Sequence, residues 1–457
     1  MAAVMGYGLK YFFGNLCSTA GFLFCVVIGL PMTADVACSK QTQTGIEIAS
    51  SPNPVGSGAR ALGLGAFIAV ADDATAASWN PGGLIQLETP EVCTVGAACH
   101  RIEDNTFGTH PEASGIQTIF SSNLNYFSIS CPFTLLNRNM ILSLNYQHLF
   151  DFNREWDLPL TETSVNYIID NQIQFVQKGE LSALGLAYAV QITPTLSVGL
   201  TLNFWDDWLD QNGWNQAYRQ DGRGIYRGRP VVSRVSYQDD FEFSGFNANF
   251  GVMWNASPKL TLGAVLKTPF TADLQRRFAF QSFVHFPTAP AADSTNSYDF
   301  SQEETLDMPL SVGIGLAYRF SDALTVSADL YRTQWDDFVH TEGDGNQISP
   351  VSGKNIDESD IDPTHQVRVG AEYLFIRNTC IIPLRGGLYY DPAPAEGSPD
   401  DYYGLSIGSG IAYKRFVFDM AYQYRFGRDV GHSLVQGKEF SQDIDQHTLY
   451  ASVIFHF

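Results

Sequence analysis

Residues 403–426 read YGLSIGSGIAYKRFVFDMAYQYRF, and their alternation decides the fold. In the first half the odd positions are Tyr403, Leu405, Ile407, Ser409, Ile411 and Tyr413, whereas the even positions are Gly404, Ser406, Gly408, Gly410 and Ala412. Past Lys414 the large apolar residues shift to Phe416, Phe418, Met420, Tyr422, Tyr424 and Phe426, opposite Arg415, Asp419, Gln423 and Arg425. Successive side chains of a strand point to opposite faces, so each half is a strand with one greasy face, and the short link makes them antiparallel neighbours. A wholly apolar face backed by a charged one places lipid on one side and water or cargo on the other.

Working outward, the same period of two recurs from about Glu91 to Phe457. It is clear in Leu196, Val198, Leu200, Leu202 and Phe204, and again in Leu310, Val312, Ile314, Leu316, Tyr318 and Phe320. About fourteen such strands fit, an even number as single-chain bacterial barrels require. Their links alternate. Short ones fall at 132–138, 193–195, 256–259, 321–323, 377–379 and 414–415; long ones fall at 104–121, 151–179, 206–231, 286–299, 339–363, 392–400 and 428–443. Short periplasmic turns alternating with long external loops are expected of an outer-membrane barrel, whereas a soluble sandwich has no reason to sort its loops. The expected fold is therefore all-β, a transmembrane antiparallel β-barrel over residues 91–457. The last strand, with Leu449, Ala451, Val453, Phe455 and Phe457 on one face, ends in Phe as outer-membrane assembly signals do.

Composition agrees. The 457 residues are 45% hydrophobic, 16% charged and 13% aromatic with 40 glycines, in a single composition regime. A mean hydropathy near zero argues against membrane helices, because a barrel hides its apolar residues at alternate positions. Lys10 followed by the apolar run Leu16 to Leu30 reads as a signal peptide over residues 1–37, cleaved near Ala34 or Ala37; acylation at Cys38 is the alternative. The formal charge of -21 excludes nucleic acid as a partner. The acidic stretch 336–362 lacks an EF-hand spacing and the nine histidines lack a ligand spacing, so neither metal nor cofactor is expected. No nucleophile, base and acid fall together, and an enzyme is not expected.

Ahead of the strands lies GSGARALGLGAFIAVADDATAASWNPGGL, residues 56–84, small and apolar. Gly and Ala let a backbone thread a crowded space, and Asp72 or Asp73 can cap a short helix through Ala74 to Trp79 that Pro81 ends. The run from Gly56 through Gly58 and Arg60 to Ala61, the stretch Ala69 to Ala76, and Trp79-Asn80-Pro81 closely resemble the N-terminal hatch of the FadL-type outer-membrane transporters. Two departures stand out: the Gly63 to Phe67 run is one small residue short, and Gly82 stands where the family typically has Ala. The resemblance implies a hatch over residues 38–90 inside the barrel lumen, and passive transport of long-chain fatty acids or similar hydrophobic molecules by a monomer seated among outer-membrane lipids of a Gram-negative-type bacterium. Rival functions are a PorV-type shuttle or adhesion partner of secretion machinery, and a hydrophilic porin, which a plug would obstruct.

Candidate ligand residues follow. Trp205, Trp208 and Trp214 precede Arg219, Arg223, Arg227 and Arg229 in one presumed external loop, an apolar landing surface beside partners for a carboxylate. In the FadL family the corresponding loop helps form the first, weaker ligand site; the alternative is an aromatic girdle with arginines on lipid phosphates. By strand parity Lys267, Arg319, Arg368, Arg385 and Arg425 face the lumen with Asp329, Glu372 and Asp419. Lys267, Arg368 and Arg385 are best placed for a ligand carboxylate, unless these charges pair with one another. Pro269 interrupts a strand and reads as a bulge. The family opens a lateral exit by distorting an earlier strand, yet the third expected strand, Met140 to Phe150, has no Gly or Pro. Cys93 and Cys131 are expected at one rim of the first hairpin, where an oxidising compartment permits a bridge.

Overall fold

Alternation of apolar and small or polar residues gives long strands, and in this computed structural model, which describes residues 57–70, 73–206, 212–435 and 438–457, those strands roll into a closed sheet. In chain order they are β1 (Glu91–Phe107), β2 (Gly115–Leu135), β3 (Arg138–Asp151), β4 (Arg154–Ser164), β5 (Tyr167–Thr193), β6 (Leu196–Trp205), β7 (Gly213–Tyr226), β8 (Arg229–Asn255), β9 (Leu260–Lys267) and β10 (Phe270–His285). There follow β11 (Ser294–Met308), β12 (Ser311–Arg319), β13 (Leu324–Thr333), β14 (Val339–Thr341), β15 (Gln347–Ile348), β16 (Thr364–Ile376), β17 (Ile381–Tyr390), β18 (Tyr402–Tyr413), β19 (Phe416–Val430) and β20 (Phe440–His456). Fourteen of them close the barrel in the antiparallel circuit β1-β2-β3-β5-β6-β8-β9-β12-β13-β16-β17-β18-β19-β20, with β20 returning to β1 from Glu91↔His456 to Phe107↔Phe440.

The outward faces match the expected parity. Tyr403, Leu405, Ile407, Phe416, Phe418 and Met420 are exposed, while Gly404, Ser406, Asp419, Gln423 and Arg425 are buried inside. The other strands extend the wall beyond the long-loop end. There β4 and β7 flank the upper part of β5, β7 and β10 flank the upper part of β8, and β11 and β14 follow. The 27 residues of β5, like those of β8, make about 90 Å of strand, far more than a tilted crossing of a lipid band needs. Much of the stretches 151–179, 206–231 and 286–299, expected as loops, is therefore sheet. Their pattern is inverted: Asp157, Gln172, Arg219, Arg234 and Arg277 face water, and Trp156, Phe175, Tyr218, Tyr237, Phe278 and Phe440 form a core inside this headpiece. Polar outward residues and the Gln and Asn mixed among the inward ones hide the strand signal.

Residues 57–70 and 73–87 lie inside the barrel. Helix α1 (Ala59–Leu64) packs on β16 to β20, and tight 3-10 turns at Ala74–Ser78 and Pro81–Gln86 pack on β1 to β3, β5, β6 and β8. Asp73 caps the first turn, its Oδ1 accepting the Thr75 N–H at 2.9 Å; Gly56 and Asp72 lie outside the described residues, as do the expected signal peptide over residues 1–37 and Cys38. An irregular buried backbone must find hydrogen-bond partners, and inward wall side chains supply them. Asp329 accepts the N–H groups of Phe67 (2.5 Å) and Ile68 (3.0 Å), Glu91 that of Ala74, and Ser452 that of Ala59. Gln423, Ser406, Thr201 and Ser197 donate to the carbonyls of Leu62, Gly63, Ala77 and Gly82. Glycine matters where backbones touch: a Cβ at Gly251 would sit 2.7 Å from Pro81 Cδ, and one at Gly82 would sit 2.9 Å from Gly251 O.

The expected Cys93 to Cys131 bridge does not form; both are free thiols. Register sets Cys93 opposite Ser128, so Cys131 is an odd number of residues further along. Cys93 therefore points into the lumen and Cys131 outward.

Candidate ligand passage

Strand parity puts four carboxylates, Glu91, Asp329, Glu372 and Asp419, and one arginine, Arg385, beside the inner segment. Arg60 of α1 forks onto Glu372 of β16, at 2.9 Å through Nη2 and 3.2 Å through Nε. The same carboxylate accepts Arg385 Nε of β17 at 2.6 Å, and Arg385 Nη1 continues to Asp419 of β19 at 2.5 Å. Arg385, expected as a ligand group, is thus bound on both sides by wall carboxylates. Together with Asp329 and Glu91 this makes a charged cradle that holds Arg60, Phe67, Ile68 and Ala74. The roles of Asp329 and Glu91 as acceptors for backbone N–H groups carry no sequence signal beyond their inward parity.

Above α1 the lumen holds a cavity of about 90 Å³, lined by Arg101, Arg368, Arg425, Tyr389, His148 and Asp151 among others. Arg368 is 4% exposed, lies 3.6 Å from Asp391 and 4.5 Å over the Tyr389 ring, and its Nε has no hydrogen-bond partner among the described residues. Arg425 sits 3.2 Å from the same Asp391 and 3.7 Å over Tyr402. The cavity adjoins an interruption in the wall. The β2–β3 ladder stops at Tyr126↔Gln147, although β3 stays paired with β5 up to Asp151 and β2 with β1 up to Gly115. Extra residues cause it: β2 bulges at Asn125, and β3 shifts register between His148 and Phe150. The third strand is thus distorted without Gly or Pro, contrary to the sequence-based expectation. A signal did exist, because the apolar outward residues change parity from Ile116, Phe120 and Leu124 to Phe127, Ile129 and Phe133.

A second cavity, about 70 Å³, lies where the barrel meets the headpiece, lined by Lys267, Trp205, Phe270, Met308, Tyr331 and Trp335 with neighbouring residues. Trp205 stacks on Phe270 at 5.6 Å, and its Nε1 donates to Asn247 at 3.0 Å. Lys267 Nζ lies 5.9 Å from the centre of the Tyr331 ring. Of its sixteen lining residues five are aromatic and eight are polar, and Lys267 is the cationic one, so an apolar surface and polar groups meet in a site that suits an apolar molecule with a polar end.

The expected Trp/Arg landing surface does not assemble. β7 is a strand, not a loop, so Trp214 points inward against Phe241 while Arg219 and Arg223 point out to solvent. Arg219 instead meets Asp221 at 2.7 Å. Trp208 lies outside the described residues. The headpiece has its own buried charges: Arg276 binds Asp239 through Nε and Nη2 and reaches Glu304, which also meets His340 at 2.6 Å. Burial favours the neutral form of Glu304, but the bond and charge of His340, with Arg276, outweigh it and hold its carboxyl below the ordinary value.

Comparison with known proteins follows the same lines. The model of the family described as "Outer membrane protein transport protein (OMPP1/FadL/TodX)" matches residues 36–453. Among solved structures, a Pseudomonas aeruginosa FadL homologue superposes with a TM-score of 0.59 at 13% identity, covering 90% of this chain and 100% of that one. The Pseudomonas putida toluene transporter TodX gives 0.54 at 13% identity, with 91% and 100% coverage, and the Ralstonia pickettii toluene transporter TbuX gives 0.50 at 14%, with 89% and 99%. No curated protein matches the chain in sequence. At such identities the superpositions speak for the fold, and the family match over most of the chain carries the assignment: this β-barrel belongs to the OMPP1/FadL/TodX family of outer-membrane transport proteins.

Proposed function

We propose that this chain, a member of a family of outer-membrane transporters of hydrophobic compounds, passively carries long-chain fatty acids or similar amphipathic acids. The observation that carries this reading is the aromatic cavity with Lys267 in its wall. An alkyl or aryl body gains by leaving water for such a surface, and a carboxylate gains a charge-assisted bond to the ammonium. Two of the related structures are described as toluene transporters; a neutral arene would fill the same walls but would gain nothing from the Lys267 charge. Residues 38–90 act as a hatch. Cargo waits above it, passes Arg368 and Arg425, and leaves between β2 and β3 where their ladder has ended, while the Arg60 and Asp329 contacts release when the hatch moves. No energy source is needed, because flow follows the cargo gradient.

Oleate and toluene binding to the purified barrel and to Lys267→Met separates the two cargo classes. Losing one charge-assisted bond, about 1.5–3 kcal/mol, should weaken oleate binding about 10- to 150-fold and leave toluene unchanged. Unchanged oleate affinity in the variant would overturn the carboxylate reading.

A further inference from the structure

We propose that the seam where β9 and β10 face β11 and β12 is a second, lipid-facing doorway into the aromatic cavity, admitting apolar molecules dissolved in the outer leaflet. The inference rests on the reading of that cavity as the cargo site. The ladder runs in one register across the seam, Lys267↔Ser311 below and Phe270↔Met308 above, which sets Thr268-Pro269 against Pro309-Leu310 with the two prolines opposite each other. Proline has no N–H to give, so the ladder is silent between these two pairs. Parting the strands here breaks no ladder bond. The other edge stays fastened: Thr268 N–H donates to Ala248 O at 2.9 Å and Thr268 Oγ1 accepts the Ala248 N–H at 3.0 Å, so freedom is confined to the proline side.

Both strands also lose their alternation at this level. Met308 and Ser311, three residues apart, are both buried, and Val265 and Ala272 are buried on either side of Pro269, which is exposed. The cavity lies directly behind, with Lys267, Thr268 and Phe270 from one side of the seam and Met308, Pro309 and Ser311 from the other. Its height on the wall selects the source of the ligand. Just below, Phe250, Val312 and Ile314 are exposed apolar residues of the lipid band, and just above, Thr271 Oγ1 donates to Asp307 at 2.6 Å on a polar outer surface. The doorway therefore meets the outer-leaflet boundary, where apolar molecules from outside first accumulate.

The test locks the seam. Cysteines at both proline positions, Pro269→Cys with Pro309→Cys, face each other at a spacing that a disulfide spans. The full chain is reconstituted in liposomes, bridge formation is verified by peptide mass spectrometry, and the probe is 5-doxyl-stearate, a spin-labelled fatty acid that quenches tryptophan; Trp→Phe variants assign the signals of Trp205 and Trp335. Oxidation should slow quenching of these two about tenfold, equivalent to about 1.4 kcal/mol of added barrier, without changing its final extent, and reductant should restore the rate. Pro269→Val with Pro309→Val, which restores N–H donors without a crosslink, should slow it in the same direction. Full quenching at an unchanged rate in the locked barrel overturns the doorway alone. No quenching in the parent barrel overturns the cargo site and the doorway with it.

Discussion

Arg60→Ala should loosen the inner segment without disturbing the barrel. In the parent, Arg60 forks onto Glu372 at 2.9 and 3.2 Å, with side chains 18% and 5% exposed. Removing one partner of a buried pair costs about 3–5 kcal/mol when the other charge is stranded. Glu372 is not stranded here, because Arg385 holds it at 2.6 Å. The loss therefore falls to that of the charge-assisted bonds themselves, about 2–3 kcal/mol, which raises the undocked fraction about 30- to 150-fold. Hydrogen exchange reads it directly, since the amides of Ala59, Phe67 and Ile68 are protected by Ser452 and Asp329. Their exchange should quicken by that factor while amides of β18 keep their rates, and Arg60→Lys, with a point charge in place of the fork, should fall between. Exchange within about threefold of the parent across residues 59–68, or an equal rise in β18, would refute the idea that this pair holds the segment.

Other consequences follow from the same structure. Gly251→Ala puts a methyl group against Asn80 and Pro81, and should expose residues 80–86 to exchange at a cost of about 1–3 kcal/mol while the barrel still folds, as its heat-modifiable migration on gels would show. Arg276→Ala leaves Asp239 and Glu304 buried with less compensation, so proteolysis should cut β10 and β11 faster, for a loss of about 3–5 kcal/mol confined to the headpiece. The Glu304 carboxyl is held below its ordinary value of 4.5, so its contribution to headpiece stability is complete above that value and is lost as the pH falls through the lowered one; Glu304→Gln should flatten that part of the acid unfolding profile. Cys131→Ser should leave thermal stability and non-reducing gel mobility unchanged, because Cys131 faces away from Cys93.

The barrel was legible because its walls separate two solvents. Around residues 403–426 every second side chain meets lipid, and water or packed backbone fills the other face, so the contrast is large and the register follows. In the headpiece both faces of the sheet are partly polar, and β4 and β7 were hidden in stretches that look like loops. The parity rule found Lys267, Arg368 and Arg385 as inward cations, but it could not say that Arg385 is engaged by Glu372 and Asp419 while Lys267 lines a cavity. Such distinctions depend on contacts between strands far apart in sequence. A single extra residue, Asn125, shifts the β1–β2 register and shows in the sequence only as the change of apolar parity between Leu124 and Phe127. The opposed prolines at 269 and 309 likewise acquire meaning only once the register sets them face to face.

The most direct measurement is uptake of radiolabelled oleate by a Gram-negative host deleted for its own transporter of this family, with and without this chain. Surface labelling and heat-modifiable migration would confirm the folded barrel in the outer membrane. The account predicts saturable uptake several-fold above the empty host, reduced by Lys267→Met. A barrel that is folded and inserted yet gives oleate uptake no greater than the empty host would contradict it.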